Sequence, residues 1–191
     1  CGVCGHKPSW GIVPQRGHLP PPPGALANSD LGVMGPMARD VADLELALDV
    51  LAGSAGPADV GWRLALPPAR ALTLPELRLA LWLDDPAYPV ETDVGAVLES
   101  AVAALGEAGA RLVDSPPPVA LPDVVGLHQQ LLYPLIDPSA TLLHRAWLSA
   151  NERREQMRAR VGDFFREVDA LLMPVAVVPA IPHDHSEPFL G

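Results

Sequence analysis

The chain has 191 residues, 49% of them hydrophobic and 19% charged, which suits one substantial globular core. A formal net charge of −10 excludes the basic footprint that nucleic-acid phosphates require. The longest apolar run, Ala170 to Pro182, is interrupted by Pro174, Pro179 and Pro182 and is too short to cross a bilayer, so no membrane partner is expected.

The opening stretch, Cys1-Gly-Val-Cys4-Gly-His6-Lys7-Pro8-Ser9-Trp10-Gly11-Ile-Val-Pro14-Gln-Arg16-Gly17-His18, is dense in residues that fix the backbone rather than fill a core. Pro8 pushes Lys7 toward extended geometry, and Gly11 and Gly17 permit positive φ. The stretch reads as a tightly routed loop with a short strand. Cys1 and Cys4 supply only half of a tetrahedral zinc site, with no second pair elsewhere. Lys7 is the one lysine; the other twelve cations are arginines.

Four consecutive prolines, Pro20 to Pro23, favour a rigid extended path up to Asn28-Ser29-Asp30. Asp40 is placed as an N-cap, with Asp43 in the first turn. Val41, Leu44, Ala47, Leu48 and Leu51 then recur at helical spacing, which predicts a core-facing stripe ended by Gly53. Arg39, just before the cap, is expected to pair with a carboxylate such as Asp40 or Asp43, since an always-charged guanidinium cannot act as a base. Residues 54–76 read as a connecting loop. Ser54 lacks the first glycine of a nucleophile elbow and follows a helix rather than a strand, so it is set aside.

Residues 77–83 predict a strand, stopped by Asp84-Asp85-Pro86. Thr92 or Asp93 then caps a helix over 93–108 with Val94, Val97, Leu98, Ala101 and Leu105 on one face. Gly109 ends it and 111–114 forms a second strand, parallel to the first by the usual right-handed crossover. Asp84 and Asp85 follow a strand's C-terminal end, where α/β folds place chemistry, but lack a base or metal beside them and read as turn residues. Beyond Pro116-Pro117-Pro118, residues 121–136 and 140–168 read as helices, broken at Pro134 and Pro138. In the second, Trp147, Ala150, Met157, Val161, Phe164 and Val168 make an apolar stripe interrupted by Arg154. Arg153, Glu155, Arg158, Arg160 and Arg166 lie mostly off it, as a solvated face. A strand over 170–173 follows. His183-Asp184-His185 has ligand spacing but no apparent third partner, so neither it nor Cys1–Cys4 is expected to hold metal.

Residues 1–53 fit the pattern C-G-x-x-G-x-K-P-[ST]-x-G-x-[VI]-P, a Pro/Gly-rich loop, then Gly35-Pro36-Met37-Ala38-Arg39 and a helix. This resembles the amidase signature family of amide hydrolases, whose machinery is Ser–Ser–Lys. The rest matches in outline, through the strand–helix–strand unit, an Asn151-Glu-Arg-Arg154 helix, and Asp169-Ala-Leu-Leu-Met-Pro174 with Pro182-His183-Asp184. The resemblance implies an α/β fold, a mixed sheet flanked by helices, of which this chain is an incomplete portion. Its parts would be the signature loop and helix (1–53), the connecting loop (54–76), the strand–helix–strand unit (77–114) and a helical region with a terminal strand and loop (115–191).

In that family the Lys and both Ser residues lie upstream of the C-G-x-x-G stretch. The resemblance therefore implies no catalytic residue within this chain, which is expected to be the middle and later part of an amidase; its first residue, Cys rather than Met, accords with that. It also implies that the loop holding His18 and Asp30 approaches the substrate cleft; the bland alternative is that both bond to nearby backbone. Leu127, Leu131, Leu132 and Tyr133 either line an acyl pocket or belong to the core. The expected reaction is hydrolysis of a linear carboxamide by an acyl-enzyme, with no cofactor and a cytoplasmic location by default. Rivals are a non-catalytic binding protein of the same fold and a glutaminyl-tRNA amidotransferase of the A-subunit type. In those A-type chains the loop before Gly-Pro usually reads Ser-Leu-Asp-Gln, whereas here it is Asn28-Ser29-Asp30-Leu31-Gly32-Val33-Met34. Expected partners are a small amide substrate, a second copy of the chain, or a missing N-terminal segment of the same protein.

Overall fold

A computed structural model describes residues 2–18, 26–54, 60–71, 73–137 and 139–183. The chain divides into two compact units, Cys1–Pro68 and Ala69–Gly191.

The first unit is built on a short antiparallel ladder between β1 (Cys4–Gly5) and β2 (Met37–Ala38), followed by helix α1 (Val41–Leu51). Asp40 caps α1 as its sequence position requires: the Ala42 N–H donates to Asp40 Oδ1 at 2.7 Å. Gly53 does not close the helix through a left-handed residue. Ala52, in extended backbone, is the C-cap, and the Gly53 N–H instead donates to the Ile12 carbonyl at 2.9 Å, tying the helix end to the opening loop. The expected core-facing stripe is only partly realised. Leu44 is buried and Ala47 and Leu48 are half-buried, but Val41 and Leu51 are exposed. A ladder two residues long offers too little surface to cover a full helical face.

In the second unit, β3 (Arg78–Leu81) is the middle strand of three, with β4 (Arg111–Val113) on one side and β5 (Ala170–Leu172) on the other, both parallel to it. Leu79 and Ala80 at the sheet centre are buried, as a strand paired on both edges should be. Helix α2 (Thr92–Glu107) makes the crossover. It begins one residue earlier than expected: Glu91 is the N-cap, without a side-chain cap, and is anchored by its N–H to the Val177 carbonyl at 2.9 Å. Val94, Leu98 and Leu105 are half-buried, whereas Val97 and Ala101 are exposed, so the buried line is narrower than the apolar one. Gly109 ends α2 with φ +96°. The Gly109 N–H reaches the Gly106 carbonyl and the Ala110 N–H the Leu105 carbonyl, the paired bonds of a Schellman stop. A 3₁₀ turn, Leu74–Glu76, which the loop composition did not announce, precedes β3.

Helix α3 (Leu121–Ile136) runs through Pro134 rather than breaking there. The proline lies in the last turn, where its missing N–H removes one bond, and the Asp137 N–H still reaches the Tyr133 carbonyl at 2.9 Å. Pro138 lies outside the described residues. Helix α4 (His144–Glu167) starts four residues later than expected, after an extended Leu143 with no side-chain cap. Its stripe is as read: Ala150 is buried, while Trp147, Met157, Val161 and Phe164 are half-buried. Arg154 lies on this same face, half-buried, and the flanking charges are exposed. No helix is long and apolar enough to cross a membrane among the described residues.

Candidate functional site

In the first unit the signature residues are packed in mutual register. The His6 N–H donates to the Pro36 carbonyl at 3.0 Å, extending the β1–β2 ladder by one bond. That approach is so close that a Cβ on Gly35 would sit 2.0 Å from the His6 carbonyl oxygen and 2.8 Å from Pro8 Cδ. Glycine is therefore the one residue that fits before Pro36. Pro8 is buried beside it. Gly11 and Gly17 take φ of +85° and +86°, as turns at these points demand. Lys7 is exposed, without the water-poor surroundings that a lysine base needs.

A glutamine that composition does not single out organises the rest of this loop. Gln15 Nε2 donates to the Ser29 carbonyl at 3.1 Å and the Gly32 carbonyl at 2.6 Å, while its Oε1 accepts the Ser29 N–H at 3.0 Å. Trp10 Nε1 donates to the same Ser29 carbonyl at 2.8 Å, and Ser29 Oγ accepts the Gly32 N–H at 2.9 Å. One side-chain amide thus stands in for a missing strand partner across 28–32. His18 and Asp30 flank this clip. His18 is exposed and its N–H donates to the Gln15 carbonyl at 3.1 Å; Asp30 follows Ser29 and is half-buried. Arg39 is exposed and forms no ion pair among the described residues, contrary to expectation. Asp40 is occupied in capping α1, and Asp43 is exposed to solvent in the first turn, where water competes for its charge.

In the second unit, Leu127 and Leu131 are 6% and 3% exposed on α3, Leu132 is half-buried and Tyr133 exposed. Arg153 Nη2 on α4 donates to Gln130 Oε1 on α3, joining the two helices at the surface. Asp84 and Asp85 hold their turn as expected: Asp84 Oδ1 accepts the Val90 N–H and Asp85 Oδ1 the Ala87 N–H, each at 2.9 Å. Beyond the C-terminal ends of β3 and β4 lies an open groove of about 670 Å³, bordered by Trp82, Asp84, Asp85, Asp114, Pro117 and Val119 among others.

The strongest electrostatic feature went unread in the sequence. Arg78 meets Asp169 through Nε to Oδ2 (3.1 Å) and Nη2 to Oδ1 (3.0 Å), and the Arg78 N–H also donates to Oδ2 at 2.9 Å. The Arg78 hydrogen bonds, with the charges of Arg78 and Arg70, pull the Asp169 carboxyl down to about 2. Arg70 adds Nη1 to the Phe165 carbonyl (2.9 Å) and Nη2 to the Val168 carbonyl (3.2 Å), so it caps the C-terminal end of α4. A charged residue opening each of two apolar strands was the available signal. A serine–carboxylate contact, Ser139 Oγ to Asp137 Oδ1 at 2.7 Å, closes the turn after α3 and lowers the Asp137 pKa through the hydroxyl and N–H of Ser139. It is a turn, with no base receiving the hydroxyl proton beyond that carboxylate. Among the described residues no three His, Cys, Asp or Glu side chains are grouped to hold a metal ion. Cys1, Asp184 and His185 lie outside the described residues.

A family model described as Amidase matches residues 1–133. The chain belongs to the amidase family. Two similar proteins are A subunits of glutamyl-tRNA(Gln) amidotransferases. That of Moorella thermoacetica (strain ATCC 39073 / JCM 9320) is 34% identical over 113 residues, and that of Thermosynechococcus vestitus (strain NIES-2133 / IAM M-273 / BP-1) is 32% identical over 117. The matches take in 58% and 60% of this chain but only 22% and 23% of those proteins. A solved bacterial aryl acylamidase of the amidase signature family superposes with a TM-score of 0.53 at 18% identity, over 93% of this chain and 43% of that one. The amidase signature fold is thus shared, as an α/β arrangement of small sheets and helices.

Proposed function

We propose that this chain is the part of an amide-cleaving enzyme that carries the amidase signature loop, and that the whole protein hydrolyses a linear carboxamide through an acyl-enzyme. The observation that carries the reading is the family match over residues 1–133, on a stretch whose signature residues are packed so tightly that Gly35 admits no side chain. In the proposed reaction a serine upstream of Cys1 attacks the amide carbon. A second serine relays its proton to a lysine, kept neutral by burial and neighbouring charge. The C–N bond breaks, the amine leaves with the proton, and water then cleaves the acyl ester. Backbone N–H groups of an upstream glycine-rich loop hold the oxyanion. Two separate contributions from this chain are proposed: His18 and Asp30, flanking the Gln15 clip, face substrate, and Leu127 and Leu131 back an acyl pocket from α3.

Fluorophosphonate labelling and turnover of an aryl amide test this, on the present chain and on one extended upstream. The extended chain should label and turn over, and the present one do neither, since a nucleophile and its base act as a unit. Labelling or turnover by residues 1–191 alone would overturn the assignment and return attention to Ser9, Ser29 and Ser54. An extended chain that is inert would favour the binding-protein reading.

A second reading, an amidotransferase of the A-subunit type, is favoured by the names of the two relatives at 34% and 32% identity. The sequence Asn28 to Met34 before Gly35-Pro36 weighs against it. Glutamine hydrolysed in preference to aryl amides would decide for this second reading.

A further inference from the structure

The groove at the ends of β3 and β4 is not used by the reading above. Its floor continues from β3 as Leu81, Trp82 and Leu83, and its opposite wall follows β4 as Pro116, Pro117 and Val119. Its volume of about 670 Å³ falls in the range of small-molecule sites. The rim is rigid. The Trp82 N–H is bonded to the Leu172 carbonyl at 2.9 Å, and the 84–90 turn is pinned by the Asp84 and Asp85 carboxylates.

Charge then selects the ligand. Three carboxylates, Asp84, Asp85 and Asp114, border the groove, and among the described residues no lysine, arginine or histidine does. Turn formation accounts for one oxygen each of Asp84 and Asp85. Asp114 is exposed at the end of β4 and has no turn role to explain it. An anion is therefore excluded. A bare metal ion is also disfavoured, because these carboxylates are not grouped as metal ligands. What remains is a cation too large to need convergent oxygens, with an apolar body for Leu81, Leu83, Val119 and the prolines, and a charge that an indole attracts.

We propose that this groove binds an organic ammonium ion carrying an aryl or alkyl group, with Trp82 and Asp114 as its principal contacts. The binding does not depend on amide cleavage, although an alkylamine freed from an amide is such a cation at neutral pH.

The test is a two-dimensional amide NMR titration of the full chain with 2-phenylethylammonium chloride, repeated with 3-phenylpropionate and with 2-phenylethanol. The cation should bind saturably, shifting resonances within 81–86 and 114–119, while the anion and the alcohol bind at least about tenfold more weakly, as loss of a charge-assisted contact predicts. Asp114→Asn should weaken cation binding by a similar factor. Asp84→Asn, which keeps an oxygen for the Val90 N–H, should weaken it less. Shifts mapping elsewhere, equal binding of the alcohol, or no saturable binding to the unmodified chain would overturn the proposal. Titration of the unmodified chain decides the matter even if a variant misfolds.

Discussion

Arg78 and Asp169, 91 positions apart in sequence, form a two-point bridge that joins the middle strand of the sheet to the residue entering β5. The register is reciprocal: the Asp169 N–H donates to the Arg78 carbonyl at 2.8 Å while the Arg78 N–H donates to the Asp169 carboxylate. The Asp169 side chain is only 8% exposed, so removing Arg78 would leave a carboxylate with little water to replace its partner.

This bridge predicts an acid-sensitive fold. The Asp169 carboxyl is held at about 2, below the ordinary 3.8, so the unfolded chain takes up its proton more readily than the folded one. The stability it contributes is complete above 3.8 and is lost as the pH falls through that value toward about 2. Asp169→Asn should lower stability at neutral pH and flatten the acid limb of a denaturation-midpoint profile between these values. An unchanged acid limb in the variant would remove Asp169 from the account.

Gly35→Ala tests the packing of the signature. Its Cβ would meet a backbone oxygen at 2.0 Å, and backbone cannot swing aside as a side-chain end can. A cost of about 3 kcal/mol or more is expected, at the upper end for overpacking. Gly53→Ala, where a Cβ meets nothing within 4 Å and φ is not positive, should stay within about 0.5 kcal/mol of the parent. Urea unfolding followed by tryptophan emission distinguishes the two. Equal midpoints would mean that the His6–Pro36 approach is looser than described.

What the sequence disclosed was local. Asp40 as a cap, Gly109 as a stop and the positive φ of Gly11 and Gly17 follow from residue type within a few positions, and the parallel pairing of 78–81 with 111–113 from a contiguous strand–helix–strand pattern. Where a partner lay far away, periodicity was silent or misleading. The α1 stripe reads as buried because its spacing is helical, yet spacing says nothing about how much sheet is available to cover it. Pro134 reads as a breaker because its cost depends on distance from the helix end, which sequence alone does not fix. The family was legible in residues 1–53, while Gln15 and the Arg70–Arg78–Asp169 group needed chain reversals to acquire partners.

The Gln15 clip gives the last prediction. Its amide is bifunctional: Nε2 serves two carbonyls and Oε1 takes the Ser29 N–H, so no isosteric change preserves both roles. Gln15→Glu keeps an acceptor but turns a carboxylate toward the Ser29 and Gly32 carbonyls, and Gln15→Ala removes all three bonds. Each net hydrogen bond contributes about 1 kcal/mol. Release of Ser29 from its acceptor should therefore speed its amide exchange by about tenfold or more. The Gly32 N–H, bonded to Ser29 Oγ, should follow if 29–32 moves as one piece. Exchange in α4 should not change, which separates local release from general unfolding. If Ser29 exchanges no faster in Gln15→Ala, the Trp10 bond alone holds the segment and Gln15 is not its organiser; Trp10→Phe, which removes the indole N–H, would then be the change that frees it.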